Sequence, residues 1–168
     1  VRIVVLGATP QGSGVALVRD ALASPVARVT RLCPRCGSSR HGPVIATGVT
    51  PRHWVSVSHS PQATVVVLDT AGPVGVDIEP LDRADAAVLG QWTATEAALK
   101  ATGRGLADDP DSVRLLEGDW AGDCLLEVPG PATPYRVRVT RVDVAGHAAR
   151  VAQLIPALGA GRHTPRSG

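Results

Sequence analysis

Residues 73–80 read PVGVDIEP, an apolar strand interrupted by two carboxylates, Asp77 and Glu79. Burying an unpaired charge is costly, so a core strand ordinarily excludes such residues. Side chains at i and i+2 of a strand share a face. That sets Asp77 and Glu79 side by side and turns Val76 and Ile78 toward the core. Like charges held together raise each other's pKa unless a cation joins them. Hard divalent ions such as Mg²⁺ take carboxylates together with water and phosphate oxygens. A solvated polar face on an edge strand satisfies the same pattern, so the strand alone does not decide between the two.

The next helical stretch supplies more of the same chemistry. In WTATEAALK (92–100), Trp92, Glu96 and Lys100 fall at i, i+4 and i+8 and lie along one stripe. Glu96 is one of four glutamates, and Lys100 is the single lysine against sixteen arginines. Phe and Met are absent, while Ala, Val and Gly are abundant, as high-GC coding produces. Under that bias a lysine persists where an ammonium suits better than a guanidinium, or by chance. A surface Glu–Lys pair is the plain alternative. Upstream, SVSHS (56–60) sets His59 between Ser58 and Ser60 at the end of an alternating strand. Hydroxyls, backbone N–H groups and an imidazole there suit phosphate oxygens, although a histidine at a strand end is also an ordinary loop residue.

Outward from these motifs, the chain of 168 residues is long enough for one domain or two small halves sharing a core. No apolar run reaches the about 18 residues of a membrane span, and the N-terminus lacks a signal-peptide pattern. The net charge of +2 does not argue for a nucleic-acid partner. Three cysteines without secretory signals favour a reduced, cytoplasmic setting over a disulfide framework.

Periodicity and breakers predict a strand (Arg2–Leu6), a Gly-rich turn and a helix (about 13–22). Gly7, Gly12 and Gly14 in that turn do not have the dinucleotide-binding spacing, and no acidic residue closes a second strand about twenty residues on. Strands follow at 54–60, 63–69 and 74–79, read as an antiparallel meander. A second helix is predicted over about 91–102, after a short linker. Further strands are expected in DSVRLLEGD, DCLLEVP, YRVRVTRVDV and HAARVAQLI. Both halves run strand, helix, then several strands, a weak internal repeat. The reading is an α+β fold: an N-terminal lobe (1–70), a C-terminal lobe carrying the metal site (71–156) and a disordered tail (157–168). A ligand site using both halves belongs in the cleft between them. Cys33, Cys36 and His41 form a C-x₂-C-x₄-H cluster that is either most of a zinc site, with Cys124 or His53 as a fourth ligand, or a tight Pro/Gly loop.

In this order, SHS (58–60), GVDIEP (75–80) and WTATEAALKATGRGL (92–106) resemble the signature of the surfactin-type (Sfp-type) 4′-phosphopantetheinyl transferases. The preceding RLCPRCGSSRHGPV is similar to a Cys/Gly/His/Pro stretch of members from high-GC bacteria. The resemblance spans roughly residues 13–155. It implies a 4′-phosphopantetheinyl transferase-like fold of two pseudo-symmetric lobes, each a small, mostly antiparallel sheet with a helix. It also implies Mg²⁺-dependent transfer of the 4′-phosphopantetheine arm of coenzyme A to a serine of an apo acyl or peptidyl carrier protein, releasing adenosine 3′,5′-bisphosphate. By motif, Asp77, Glu79 and Glu96 are metal ligands, and Ser58 and His59 contact the phosphates. Arg40 and Pro43 belong to the coenzyme A site, Glu96 activates the carrier serine, and Lys100 neutralises charge on the pyrophosphate.

Three departures stand out. Thr95 occupies the position before the metal-binding glutamate where the family has lysine. Only Pro80–Gln91 separate the GVDIE strand from the tryptophan. The N-terminal basic segment that clamps the 3′-phosphate of coenzyme A is also expected to be missing, leaving Arg19, Arg31 and Arg40 as candidates to replace it. The competing expectations are a shortened paralogue that binds coenzyme A or a carrier protein without transfer, and a small nucleotide- or metal-binding module.

Overall fold

The computed structural model describes residues 1–7, 14–33, 35–40, 42–105 and 108–156. The expected tail, His41 and most of the Gly-rich turn after the first strand lie outside these residues. The first half of the chain comprises β1 (Arg2–Gly7), α1 (Gly14–Leu22), β2 (Arg28–Arg31), β3 (Val44–Thr47), β4 (Trp54–His59) and β5 (Ala63–Asp69). The second comprises β6 (Val74–Pro80), α2 (Ala86–Ala101), β7 (Arg114–Gly118), β8 (Cys124–Val128), β9 (Tyr135–Arg141) and β10 (His147–Ile155). The fold is α+β: two helices and three small sheets, ordered β1-β5-β4, β2-β3 and β6-β10-β9-β8-β7. Every strand pair among the described residues is antiparallel, so β1–turn–α1 does not open the parallel sheet of a dinucleotide-binding fold.

The repeat is sharper in topology than in sequence. Each half has a strand, a helix and four more strands, and in each the first strand pairs with the last, β1 with β5 and β6 with β10. The penultimate strand then flanks the last, β4 beside β5 and β9 beside β10. In the first half the counterparts of β7 and β8 have separated into the β2-β3 ribbon.

Two strands are buried on both faces, which explains their continuous β-branched runs. In β5, Val65 and Val67 join Val76, Ile78 and Val151 in one apolar cluster, while Val66 and Leu68 join Val18 of α1 in another. β6 presents Val76 and Ile78 to the first of these and its other face to α2. Alanines make that second contact close: Ala94, Ala97, Ala98 and Ala101 are all buried, and a Cβ on Gly75 of β6 would overlap the carbonyl oxygen of Ala97.

Two elements differ from the sequence reading. β6 is not the third strand of a meander; it leaves β5 and becomes the edge of the five-stranded sheet, paired with β10. Its other edge is covered by serines. Val76 N donates to Ser56 Oγ at 3.0 Å and Ile78 N donates to Ser58 Oγ at 3.3 Å, so hydroxyls of β4 take the place of a neighbouring strand. Second, α2 begins at Ala86, about five residues earlier than its apolar pattern suggests. The Asp85 carboxylate accepts from Ala87 N at 2.8 Å and caps the helix, absorbing the expected linker into its first turn.

Candidate active site at the junction of the two halves

Alternation on β4 aims Ser56, Ser58 and Ser60 at the second half of the chain, and each is bonded there. Besides the contacts to β6, Ser60 Oγ lies 2.7 Å from His147 Nε2 at the start of β10. His147 Nδ1 is 2.8 Å from Ala145 O, a carbonyl that can only accept, so Nδ1 carries a proton.

Ser58 leads to the centre of the site. Its Oγ donates to Asp77 Oδ1 at 3.0 Å, and the same oxygen receives Lys100 Nζ at 2.5 Å. Lys100 Nζ also donates to Val76 O at 3.2 Å and stands 3.5 Å from Glu96 Oε2. Residues from β4, β6 and two turns of α2 therefore share one cluster. The i, i+4 spacing of Glu96 and Lys100 puts both over the face of β6 that carries Asp77. Asp77 is 4% exposed, and its Oδ2 is buried without a hydrogen-bond partner. Burial pushes its carboxyl up to about 6 and outweighs the opposing pull of Lys100; Glu96 adds to the rise.

The remaining expected residues are placed as follows. Glu79 is half-buried and turns to Arg83, at 3.0 Å, instead of joining Asp77 and Glu96. No group of three or more His, Cys, Asp or Glu side chains positioned to hold a metal occurs among the described residues. His59 is exposed at the end of β4, where the alternation turns it away from the Ser58 face. Trp92 is 40% exposed on the α2 stripe that leads to Glu96. Arg40 is exposed, and Pro43 lines the cleft described below. Of the zinc candidates, Cys124 is buried in the core between α2 and β8, with its thiol pushed up to about 11 by burial. His53 is bonded through Nδ1 to Pro51 O at 2.9 Å.

Lys100 is also where two cavities meet. One, of about 760 Å³, runs between β3, β4 and the end of α2 and has a largely apolar wall that includes Ile45, Trp54, Val74 and Leu154. The other, of about 490 Å³, is lined by Arg31, Arg35 and Arg104 together with Ser56 and Lys100, and by no carboxylate among the described residues. Both are walled by Pro43, Val44, Val55, Lys100 and Gly103. Arg31 is held by Gly42 O at 3.0 Å, and Arg104 is forked onto Asp108 with two bonds of 2.6 Å. Sequence reasoning had named Arg31 among several cations, but not Arg35 or Arg104. Arg104 sits inside GRGL (103–106), three residues past the helix, and that position in the motif is the signal for it.

Asp77 and Glu96 are the carboxylates a metal ion here would use, since Mg²⁺ takes one or two when substrate phosphates and water complete its shell, and Asp77 Oδ2 has no hydrogen-bond partner. Arg150, directly opposite Asp77 in the β6–β10 register, is 3% exposed. It donates to Trp120 O and Ala121 O at 3.1 and 2.8 Å, pinning that turn over Gly90 of α2.

Comparison of the chain with models of known protein families gives no match, and comparison with curated proteins gives none either. No helix among the described residues is long and apolar enough to cross a membrane.

Proposed function

We propose that this chain is a Mg²⁺-dependent 4′-phosphopantetheinyl transferase of the surfactin type, cytoplasmic, acting on coenzyme A and an apo acyl or peptidyl carrier protein. The observation that carries the reading is the meeting of Ser58, Asp77, Glu96 and Lys100 in one cluster. They come from three separate motifs whose order first suggested the family. The two-lobed topology and the cationic cavity beside the cluster agree with it.

Held at Asp77 and Glu96, Mg²⁺ would supply positive charge to pyrophosphate oxygens. Arg31, Arg35 and Arg104 bind the phosphates of coenzyme A in the smaller cavity, where guanidinium forks match phosphate geometry. The apolar groove on the other side of Lys100 receives the uncharged part of the co-substrate. Ser58 fixes Asp77, and until the co-substrate binds Val76 O and Asp77 hold Lys100 at the mouth shared by both cavities. In the transfer, the carrier serine oxygen bonds to the phosphorus that bears pantetheine. The pyrophosphate P–O bond breaks with its electron pair leaving on adenosine 3′,5′-bisphosphate, and the serine proton passes to Glu96. Positioning and charge stabilisation supply most of such a reaction's acceleration.

Chromatography of a mixture of the chain, coenzyme A, Mg²⁺ and an apo carrier protein tests this. Adenosine 3′,5′-bisphosphate is expected only when all four are present. Glu96→Gln is expected to slow its release by at least about 10²-fold, the scale of one acid–base group. Release at the wild-type rate from Glu96→Gln would remove the proton-accepting role.

A further inference from the structure

We propose that Lys100 is the resident cation of the Asp77–Glu96 pair, and that a divalent ion reaches these carboxylates once an anion in the arginine-lined cavity has taken Lys100 over. The inference rests on the reading of Asp77 and Glu96 as metal ligands and concerns what controls their access.

The geometry shows an ammonium that donates to Asp77 Oδ1 at 2.5 Å and to Val76 O at 3.2 Å and stands at ion-pair distance, 3.5 Å, from Glu96 Oε2. In that position Lys100 is engaged with the protein's own oxygens and not with a phosphate. It also fills the space between the two carboxylates with a positive charge that repels an incoming dication. The fit is nevertheless incomplete, because Lys100 and Ser58 both engage Oδ1 of Asp77 and leave Oδ2 buried and unpartnered.

Lys100 also has somewhere to go. Its side chain is 30% exposed and lines both cavities, including the one with Arg31, Arg35 and Arg104. A phosphate placed among those arginines gives the ammonium an alternative anion. The flexible four-carbon stem of lysine permits the swing, which a rigid guanidinium fork would hinder. This also accounts for the single lysine of the chain standing here among sixteen arginines. The consequence is positive coupling between metal and anion, equal in both directions. Direct coordination of the metal by phosphate also couples the two; the Lys100 device adds that removing the lysine both tightens metal binding without anion and weakens the coupling between anion and metal.

Mn²⁺ binding, read as the loss of free-ion signal in electron paramagnetic resonance, tests this without any turnover. In a non-coordinating buffer without nucleotide, wild type is expected to bind Mn²⁺ weakly and Lys100→Gln at least about tenfold more tightly, within the usual range of coupling between sites. Adding Asp77→Asn to Lys100→Gln is expected to abolish the gain. Equal affinity of wild type and Lys100→Gln, or weaker binding by the variant, would overturn the role of Lys100 while leaving the metal reading in place. Absence of binding to either protein, even with adenosine 3′,5′-bisphosphate added, would overturn both. Should Lys100→Gln not fold, Lys100→Met, which keeps the length of the stem without its charge, takes its place in the same titration, with the same expected gain and the same overturning result.

Discussion

Asp77 holds a carboxyl group at 4% exposure with one oxygen doubly engaged and the other unpartnered. Its pKa is raised from 3.8 to about 6, chiefly by burial. Between those values the folded chain keeps a proton that the unfolded chain has lost. The stabilising contribution is therefore fully present below the unfolded value and is lost as pH rises toward the folded one. The shift corresponds to a loss of roughly 3 kcal/mol across that window. Asp77→Asn removes the titration, so the stability difference between wild type and variant should move in the variant's favour by about that amount between about pH 4 and pH 7. Urea denaturation at both pH values measures it, and a constant difference would contradict the assignment. Asp77, Glu96 and Lys100 were legible in the sequence because their spacing on a strand and a helix fixes the faces they share. The partner of Glu79 was not. Arg83 lies four residues on across a turn, and no periodic rule covers that contact.

At the scale of elements, the alternation of β4 carries a second meaning. A polar residue at every other strand position reads as a solvent face, yet Ser56, Ser58 and Ser60 are all 9% exposed or less. They face inward because β6 brings its open edge against β4 and its N–H groups need acceptors. Period alone does not distinguish the two cases. Ser56→Ala should leave the Val76 N–H buried and unsatisfied and cost about 1–3 kcal/mol, whereas Ser56→Thr keeps the acceptor and should recover part of it. Gly75→Ala should be at least as damaging, about 3 kcal/mol, because the added Cβ meets the backbone of α2 and no flexible side chain can yield. Thermal or denaturant unfolding checks both, and a neutral Gly75→Ala would contradict the β6–α2 contact. The early start of α2 was readable in principle from Asp85, a capping residue before a run of helix formers.

Over the whole molecule, the two halves repeat a topology of five strands and one helix while sharing no visible sequence. Apolar burial constrains residue class and periodicity, and many sequences satisfy both. The repeat was thus legible as an order of elements, whereas the detachment of the β2-β3 ribbon was not. That detachment helps shape the cleft, since β3 and the segment following β2 wall both cavities. Arg31→Ala with Arg35→Ala should weaken coenzyme A binding at least about tenfold at low salt, the worth of one or two charge-assisted bonds. The variant's affinity should also fall less steeply with salt than wild type's. Calorimetric titration reads both, and an unchanged affinity would move the phosphates elsewhere. Transfer of the arm is read from the intact mass of an apo carrier protein incubated with the chain, coenzyme A and Mg²⁺. The carrier is expected to gain one 4′-phosphopantetheine arm on one serine, and to gain none with Asp77→Ala or Glu96→Ala. A carrier of unchanged mass beside a wild-type chain that binds coenzyme A and Mg²⁺ would contradict that transfer.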